Sequence, residues 1–409
     1  MPFTKISIPA VGLYEMTVSD ISLILLCLLL GVKGKGIHKY FYPFFGGLLL
    51  LTFLSGMTVV VVRSFRMFFL EYLPLFFAIF ISYGTLAFLS GKNLKKQMNR
   101  IRTLLIISLL LSILPVYYQL LTGSKLGYFF DNWGWRYTFL SQNPNQFGVY
   151  FTLYSFLIIQ ITLKFFEKDL TKLTFALIFF FVPVLFSGSK ATTLIFAMNF
   201  MLLNFFLFTR LSVIKRSVYA VVIVLIVVFS VNPTIKFIKK QGGQISRALS
   251  IFDQVSKVDG LTVGGDSGDS MDDGLVLFLR YPLLGVGLGN KPMHTVKPTE
   301  VHNTYIKTLA TSGLVGFFGL MIVFAMIPVV TIFSRSKLSY KLVVLLFYGL
   351  FGVMNIPYML LRQRWVWFYL AVTFVLAFLD KDGNIQKNKF GAFNYFGTKK
   401  NKQLKTTTN

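Results

Sequence analysis

The sequence predicts an all-α, polytopic membrane protein, and three observations carry that reading. Of its 409 residues, 55% are hydrophobic and 17% aromatic, and the mean hydropathy is +0.67. That apolar share is well above a soluble domain's. The apolar residues fall into runs of about 20, the length a helix needs to cross the hydrocarbon core. Lys and Arg gather in alternate short connections between those runs. Lipid offers no partner to an unpaired backbone group, so such runs read as helices. Residues 1–379 then form a single polytopic domain holding one large loop, 232–300, and 380–409 form a basic tail.

In chain order, apolar spans fall at 18–32, 40–62, 67–90, 103–122, 147–165, 172–187, 191–209, 217–231, 307–333, 340–356 and 365–379. That makes about eleven helices (10 to 12), since 18–32 is short and the 187–191 connection is tight. The first run has no clear cleavage signal and is taken as a retained helix. If the 232–300 loop lies outside, the inner connections and the tail hold 24 Lys and Arg against 8 in the outer short segments. The positive-inside rule therefore predicts an extracytoplasmic large loop and a cytoplasmic tail. The formal net charge of +26 is accounted for by loops facing anionic lipid, not by nucleic acid. A single cysteine, Cys27, excludes an intrachain disulfide and a thiolate metal cluster.

The candidate site residues lie at the predicted outer ends. In RYPLLGVGLGN (280–290), Pro282, Gly285, Gly287 and Gly289 make a loop whose backbone can approach a ligand closely. Arg280, just before it, is either a phosphate clamp or a surface cation. A helix opening near His302 places His302, Tyr305, Ile306, Leu309 and Gly313 along one face. His302 reads either as a capping or interfacial residue or as a proton acceptor.

Arg136 follows Trp133 and Trp135, which suit either an interfacial belt or a sugar-stacking surface. Asn143-Pro144-Asn145 closes that loop, with Asn145 either an N-cap or a ligand-facing amide. Lys190, in Ser187-Gly188-Ser189-Lys190, either snorkels to headgroups or helps hold a phosphate. Glu71, the one carboxylate well within an apolar span, reads either as a functional intramembrane acid or as an ion-pair partner of Arg63 or Arg66. The run GGDSGDSMDDG (264–274) reads as a solvated turn, because it lacks the ligand spacing of an EF-hand.

Taken together, PLLGVGLGN and HNTYIKTLATSGLVG resemble the C-terminal signature of the O-antigen polymerase and O-antigen ligase superfamily. Arg136 with Asn143-Pro144-Asn145 is similar to that family's Arg-then-Asn-Pro-Asn segment. Ser187 to Lys190 is similar to its Ser-Arg-Gly-type turn, with Lys in place of the usual Arg. The resemblance covers about 136 to 316. It departs at 267–273, where the family often has an Arg before a Trp: either Arg247 or Arg280 supplies that cation, or the acidic residues there serve a different acceptor.

The resemblance implies a GT-C type membrane glycosyltransferase in the bacterial inner (cytoplasmic) membrane, with its active site on the extracytoplasmic side. Its substrate would be an undecaprenyl-pyrophosphate-linked glycan, joined into O-antigen or capsular polysaccharide. The implied catalytic residues are His302, Arg136 and Arg280, with Lys190, Arg247, Asn303, Asn145 and Tyr305 binding substrate. Membrane lipid and a chain-length regulator protein are the implied partners, and no cofactor, metal or nucleic acid is expected. Two alternatives stay open: a ligase moving finished glycan onto lipid A-core or another acceptor, and a lipid-linked oligosaccharide flippase.

Overall fold

The computed structural model describes residues 7–10, 14–17, 25, 29, 36–91, 93–124, 126–129, 136–139, 143–210, 265–290, 301–380 and 382–385. Ten α-helices run through these residues: α1 (Tyr42–Gly56), α2 (Phe65–Phe88), α3 (Leu94–Thr122), α4 (Pro144–Phe165) and α5 (Leu170–Phe186). They continue as α6 (Lys190–Arg210), α7 (Gly265–Arg280), α8 (Thr304–Phe333), α9 (Leu338–Met354) and α10 (Arg364–Phe378). A short hairpin, β1 (Ser7–Ala10) antiparallel to β2 (Tyr14–Thr17), departs locally from the all-α expectation.

Local chemistry sets the helix ends. Pro43 enters α1 in its first turn, where a missing N–H costs nothing. The Ser64 side chain accepts from Met67 N at the start of α2. Gly123 ends α3 in the left-handed region at φ 71°, its N–H returned to Gln119 O at 2.9 Å. α3 starts at Leu94, nine residues before the expected span. Its first turns carry Lys95, Lys96, Arg100 and Arg102, whose long stems reach past the apolar surface to water. Arg102 also pairs with Asp169 at 2.9 Å.

Five helical stretches are long and apolar enough to cross a membrane: Lys39–Val61, Phe65–Phe88, Leu94–Thr122, Pro144–Phe165 and Thr304–Phe333. Shorter apolar helices occupy Lys190–Phe206, Leu338–Met354 and Arg364–Phe378, and residues 167–186 form a pair bent by 52°. Nine of the expected spans thus coincide with helices. The spans at 217–231 and, almost entirely, 18–32 lie outside the described residues, as does the tail beyond 385.

α4 and α10 are the centre of the bundle. Both are apolar on every side, which a helix tolerates only when neighbours surround it. From Phe147 to Leu163 every residue of α4 is buried, and α10 is buried from Val366 to Phe378 apart from Phe368. Rings fill the contacts: Phe156 stacks on Phe347 of α9 at 4.7 Å, and Tyr150 meets Trp365 edge-on at 6.2 Å. Two buried hydroxyls in α4 return to their own helix, Thr152 to Gly148 O and Ser155 to Phe151 O, while that of Tyr150 pairs with Ser108 of α3 at 2.7 Å.

α8 is interrupted. Gly313 adopts φ 60°, ψ −163° in its middle, and the glycine turn at 282–290 docks against the break. In an unbroken helix Leu314 N and Val315 N would pair with Ala310 O and Thr311 O. Here those two amides donate instead to Pro282 O and Leu283 O, at 2.8 and 3.2 Å. Val286 N and Gly287 N fill the two vacated carbonyls at 2.9 and 3.1 Å. All four groups stay paired, as backbone at membrane depth requires.

That finding revises the reading of the glycines. Gly285, Gly287 and Gly289 all have positive φ, and a Cβ on Gly285 or Gly289 would lie within 2.6 Å of backbone in α8 or α2. The close approach they permit is to the protein's own helices. The acidic run 264–274 is revised too, because Gly265 to Gly274 fall within α7 and not in a solvated turn.

Candidate functional site

Three separate sequence segments meet at one end of the bundle, around Arg136. Its Nε donates to Ser187 O at 2.7 Å, and its Nη2 donates to Asn145 Oδ1 at 2.7 Å. A guanidinium is planar, so bonds in two directions fix its plane. The next residue, Tyr137, extends the same junction: its N–H donates to Phe186 O at 3.0 Å, and its buried hydroxyl donates to Ser112 O. The Arg segment, the Asn-Pro-Asn turn and the Ser-Gly-Ser-Lys turn are therefore one construction.

Within it, Asn143 is the N-cap of α4, its Oδ1 accepting from Asn145 N at 2.8 Å. Asn145 is not the cap. Its amide oxygen faces Arg136 instead. Gly188 turns the chain at φ 62° between α5 and α6, and Lys190 opens α6, half-buried.

A tyrosine absent from the expected set, Tyr358, connects this junction to the start of α8. Its hydroxyl shares a 2.5 Å hydrogen bond with Ser189 Oγ. Its carbonyl accepts from Thr304 Oγ1 at 2.6 Å, and Thr304 N donates to Asn355 O at 2.9 Å. Burial pushes the Tyr358 hydroxyl above the ordinary tyrosine range, while the Ser189 bond and the Arg136 charge oppose that shift.

Asn303 is the N-cap of α8, accepting from Tyr305 N at 2.9 Å and Ile306 N at 3.0 Å. His302 stands one residue outside the cap, exposed, at the positive end of the α8 dipole. The helix starts at Thr304, so His302 is above its first turn and not on the face expected for it. Tyr305 is committed elsewhere: its hydroxyl donates to Gly352 O at 3.0 Å, and its ring meets Phe324 edge-on at 6.4 Å. Arg280 ends α7, exposed, and among the described residues nothing joins it to Arg136 or His302. Arg247, Trp133 and Trp135 lie outside the described residues.

Glu71 has other partners than Arg63 or Arg66. Its Oε1 meets Lys307 Nζ at 2.9 Å and also accepts from Arg362 Nη2, and its Oε2 accepts from Gly289 N at 2.6 Å. One carboxylate thereby ties α2, the glycine turn, the first full turn of α8 and the connection before α10 together. The Lys307 side chain is 5% exposed and the Glu71 side chain 15%. A cavity of about 30 Å³ adjoins them, lined in part by Ser55, Thr308, Thr311 and Ser312, large enough for about one water. Lys307 falls at the first position of the expected 307–333 span, where a cation reads as an ordinary flank; the helix starts three residues earlier, at Thr304, and so draws it inside.

Residues 175–321 match the family model described as O-antigen ligase. The match runs from within α5 to just past the break in α8, taking in the Ser-Gly-Ser-Lys turn, α7, the glycine turn and the His-Asn cap. No curated protein matches the chain.

Proposed function

From the place in the O-antigen polymerase and ligase superfamily that this match supports, we propose that the chain is an inverting membrane glycosyltransferase. Its donor is a glycan on undecaprenyl pyrophosphate, and the site lies on the extracytoplasmic face. It extends lipid-linked repeat units into O-antigen or capsular polysaccharide. The observation that carries this reading is the junction holding Arg136, Asn145, the 187–190 turn, Tyr358 and the His302-Asn303 helix start at one end of the bundle.

In the proposed reaction an acceptor hydroxyl attacks the anomeric carbon, and the bond from that carbon to the diphosphate oxygen breaks. The proton passes to His302, the exposed imidazole above α8. The leaving group is a lipid diphosphate, so fixed cations where its charge develops lower the barrier. Arg136 is held for that role by its bonds to Ser187 and Asn145, and Lys190, three residues after Ser187 at the start of α6, is the second cation. Asn303 acts by fixing the helix start under His302.

The second reading, a ligase passing glycan to a different acceptor, is favoured by the description of the matching family itself. That match lends nothing to the flippase alternative. The test is reconstitution of purified protein with lipid-linked repeat as sole substrate. A polymerase makes a ladder of products, whereas a ligase makes none until its acceptor is added. His302→Ala and Arg136→Ala are expected to remain inserted and to lower the rate at least a hundredfold, the order found when one transition-state contact is removed. Ladders at the wild-type rate from either variant refute the assigned role.

A further inference from the structure

At the opposite end of the bundle lies a second cavity, of about 170 Å³, whose lining includes Lys164, Glu167, Arg335, Lys337 and Asp380. That is about ten times the 10–15 Å³ that admits one water. Its walls come from the ends of α4 and α10, the side of α6 and the α8–α9 connection. We propose that this cavity binds the phosphodiester headgroup of an anionic phospholipid.

Charge, donors and surroundings each point there. Three cations face two carboxylates across the lining, an excess of one that a phosphodiester would balance. Lys164 is the deepest cation: its Nζ donates to Leu376 O at 2.6 Å and to Ser336 Oγ at 3.0 Å, and it sits 4.4 Å from the Tyr340 ring centre. An ammonium has three donors, and these two acceptors take two of them. Lys337 and Glu167 are 3.9 Å apart and about half exposed, a pair weak enough to open for a competing anion.

The apolar wall fits the rest of the ligand. Phe206 lines the cavity, and Phe205 and Leu338, next to lining residues in sequence, are 69% and 71% exposed. Phe205 and Leu338 thus add exposed apolar surface at this end of the bundle, on which acyl chains would lie while the phosphate sits in the cavity. The Lys and Arg count predicts that this end faces the cytoplasm, the leaflet side where anionic lipid concentrates. A basic pocket between helices at that level is suited to a headgroup.

The test is native mass spectrometry of the full chain after exchange into bilayers of phosphatidylcholine with or without phosphatidylglycerol. Wild type should retain one phosphatidylglycerol at least tenfold better than phosphatidylcholine. The Arg335→Gln/Lys337→Gln double variant should lose that preference. Arg335→Lys, which keeps the charge, and Lys341→Gln, on the same end but outside the cavity, should preserve it. Equal retention of both lipids, or an unchanged preference in the double variant, overturns the proposal. Displacement of the lipid by millimolar inorganic phosphate would assign the cavity to a free anion and also overturn it.

Discussion

Glu71 shows how much one residue can hold in this protein. It meets two cations and one backbone amide from three other parts of the chain. Removing one member of a buried pair leaves the other charge uncompensated, at a cost of about 3–5 kcal/mol. Glu71→Gln should therefore lower the thermal unfolding midpoint in detergent far more than Arg362→Gln, because Arg362 is 30% exposed and Lys307 only 5%. Replacing both partners, as Glu71→Leu with Lys307→Met, should recover much of the loss. If Glu71→Gln unfolds with the wild-type midpoint, the cluster is not a stabilising one.

At this scale the sequence was readable for residue type and less so for partner. Glu71 stood out because a carboxylate in an apolar span is rare. The nearby arginines of its own segment were natural candidates, yet the true partners lie more than two hundred residues away. Tyr358 carried no local signal. An amphipathic residue in a short loop looks like any interfacial tyrosine until Ser189 and Thr304 are seen on either side of it.

Among the elements, α8 and the glycine turn form one unit. Gly313 has φ 60°, and a Cβ there would stand 2.1 Å from Leu283 O. Gly313→Ala meets both a backbone penalty of about 1–3 kcal/mol and a clash that only separation of the turn relieves. The measurable outcome is exposure of the docked loop. Val286 is 3% exposed, so a cysteine placed there by Val286→Cys should react slowly with maleimide and at least tenfold faster when Gly313→Ala is added. Equal rates would mean that the turn stays docked without the glycine.

Periodicity and length made most helices legible, and the motifs at Arg136, Asn143 to Asn145 and Ser187 to Lys190 belong to segments that the fold brings together. The break in α8 was not legible, because Gly313 is one of three glycines in the run, with Gly316 and Gly319, and such glycines also occur in continuous membrane helices. α7 was hidden for a different reason. Its four Asp and four Gly between 264 and 274 read as a turn, while the helix draws on Leu277, packed with Val286 of the glycine turn and Ala310 of α8.

For the molecule as a whole, the two ends of the bundle differ in kind. One gathers Arg136, Tyr358, His302 and the Glu71 cluster, and the other the Lys164 cavity. The Lys and Arg count predicts that the first faces outward. In a Cys27→Ser background, His302→Cys should react with an impermeant maleimide added to intact cells, and Lys337→Cys only after the membrane is opened. The reverse pattern would place the proposed site on the cytoplasmic side, where the proposed donor chemistry does not belong. α4 and α10, buried all round, give both ends a common rigid axis, so damage to one need not disturb the other.

The stitched break in α8 has a consequence for biogenesis. It lies about 14 Å along the helix from its start, at 1.5 Å per residue. Until residues 282–287 arrive, two amides and two carbonyls there would face hydrocarbon unpaired, each costing several kcal/mol. A freshly synthesised α8 therefore has reason to enter the bilayer either as a straight rod that bends afterwards or only together with the turn made just before it. Since the turn leaves the ribosome first, the second route is open, and the insertion machinery would then release the two segments as a pair.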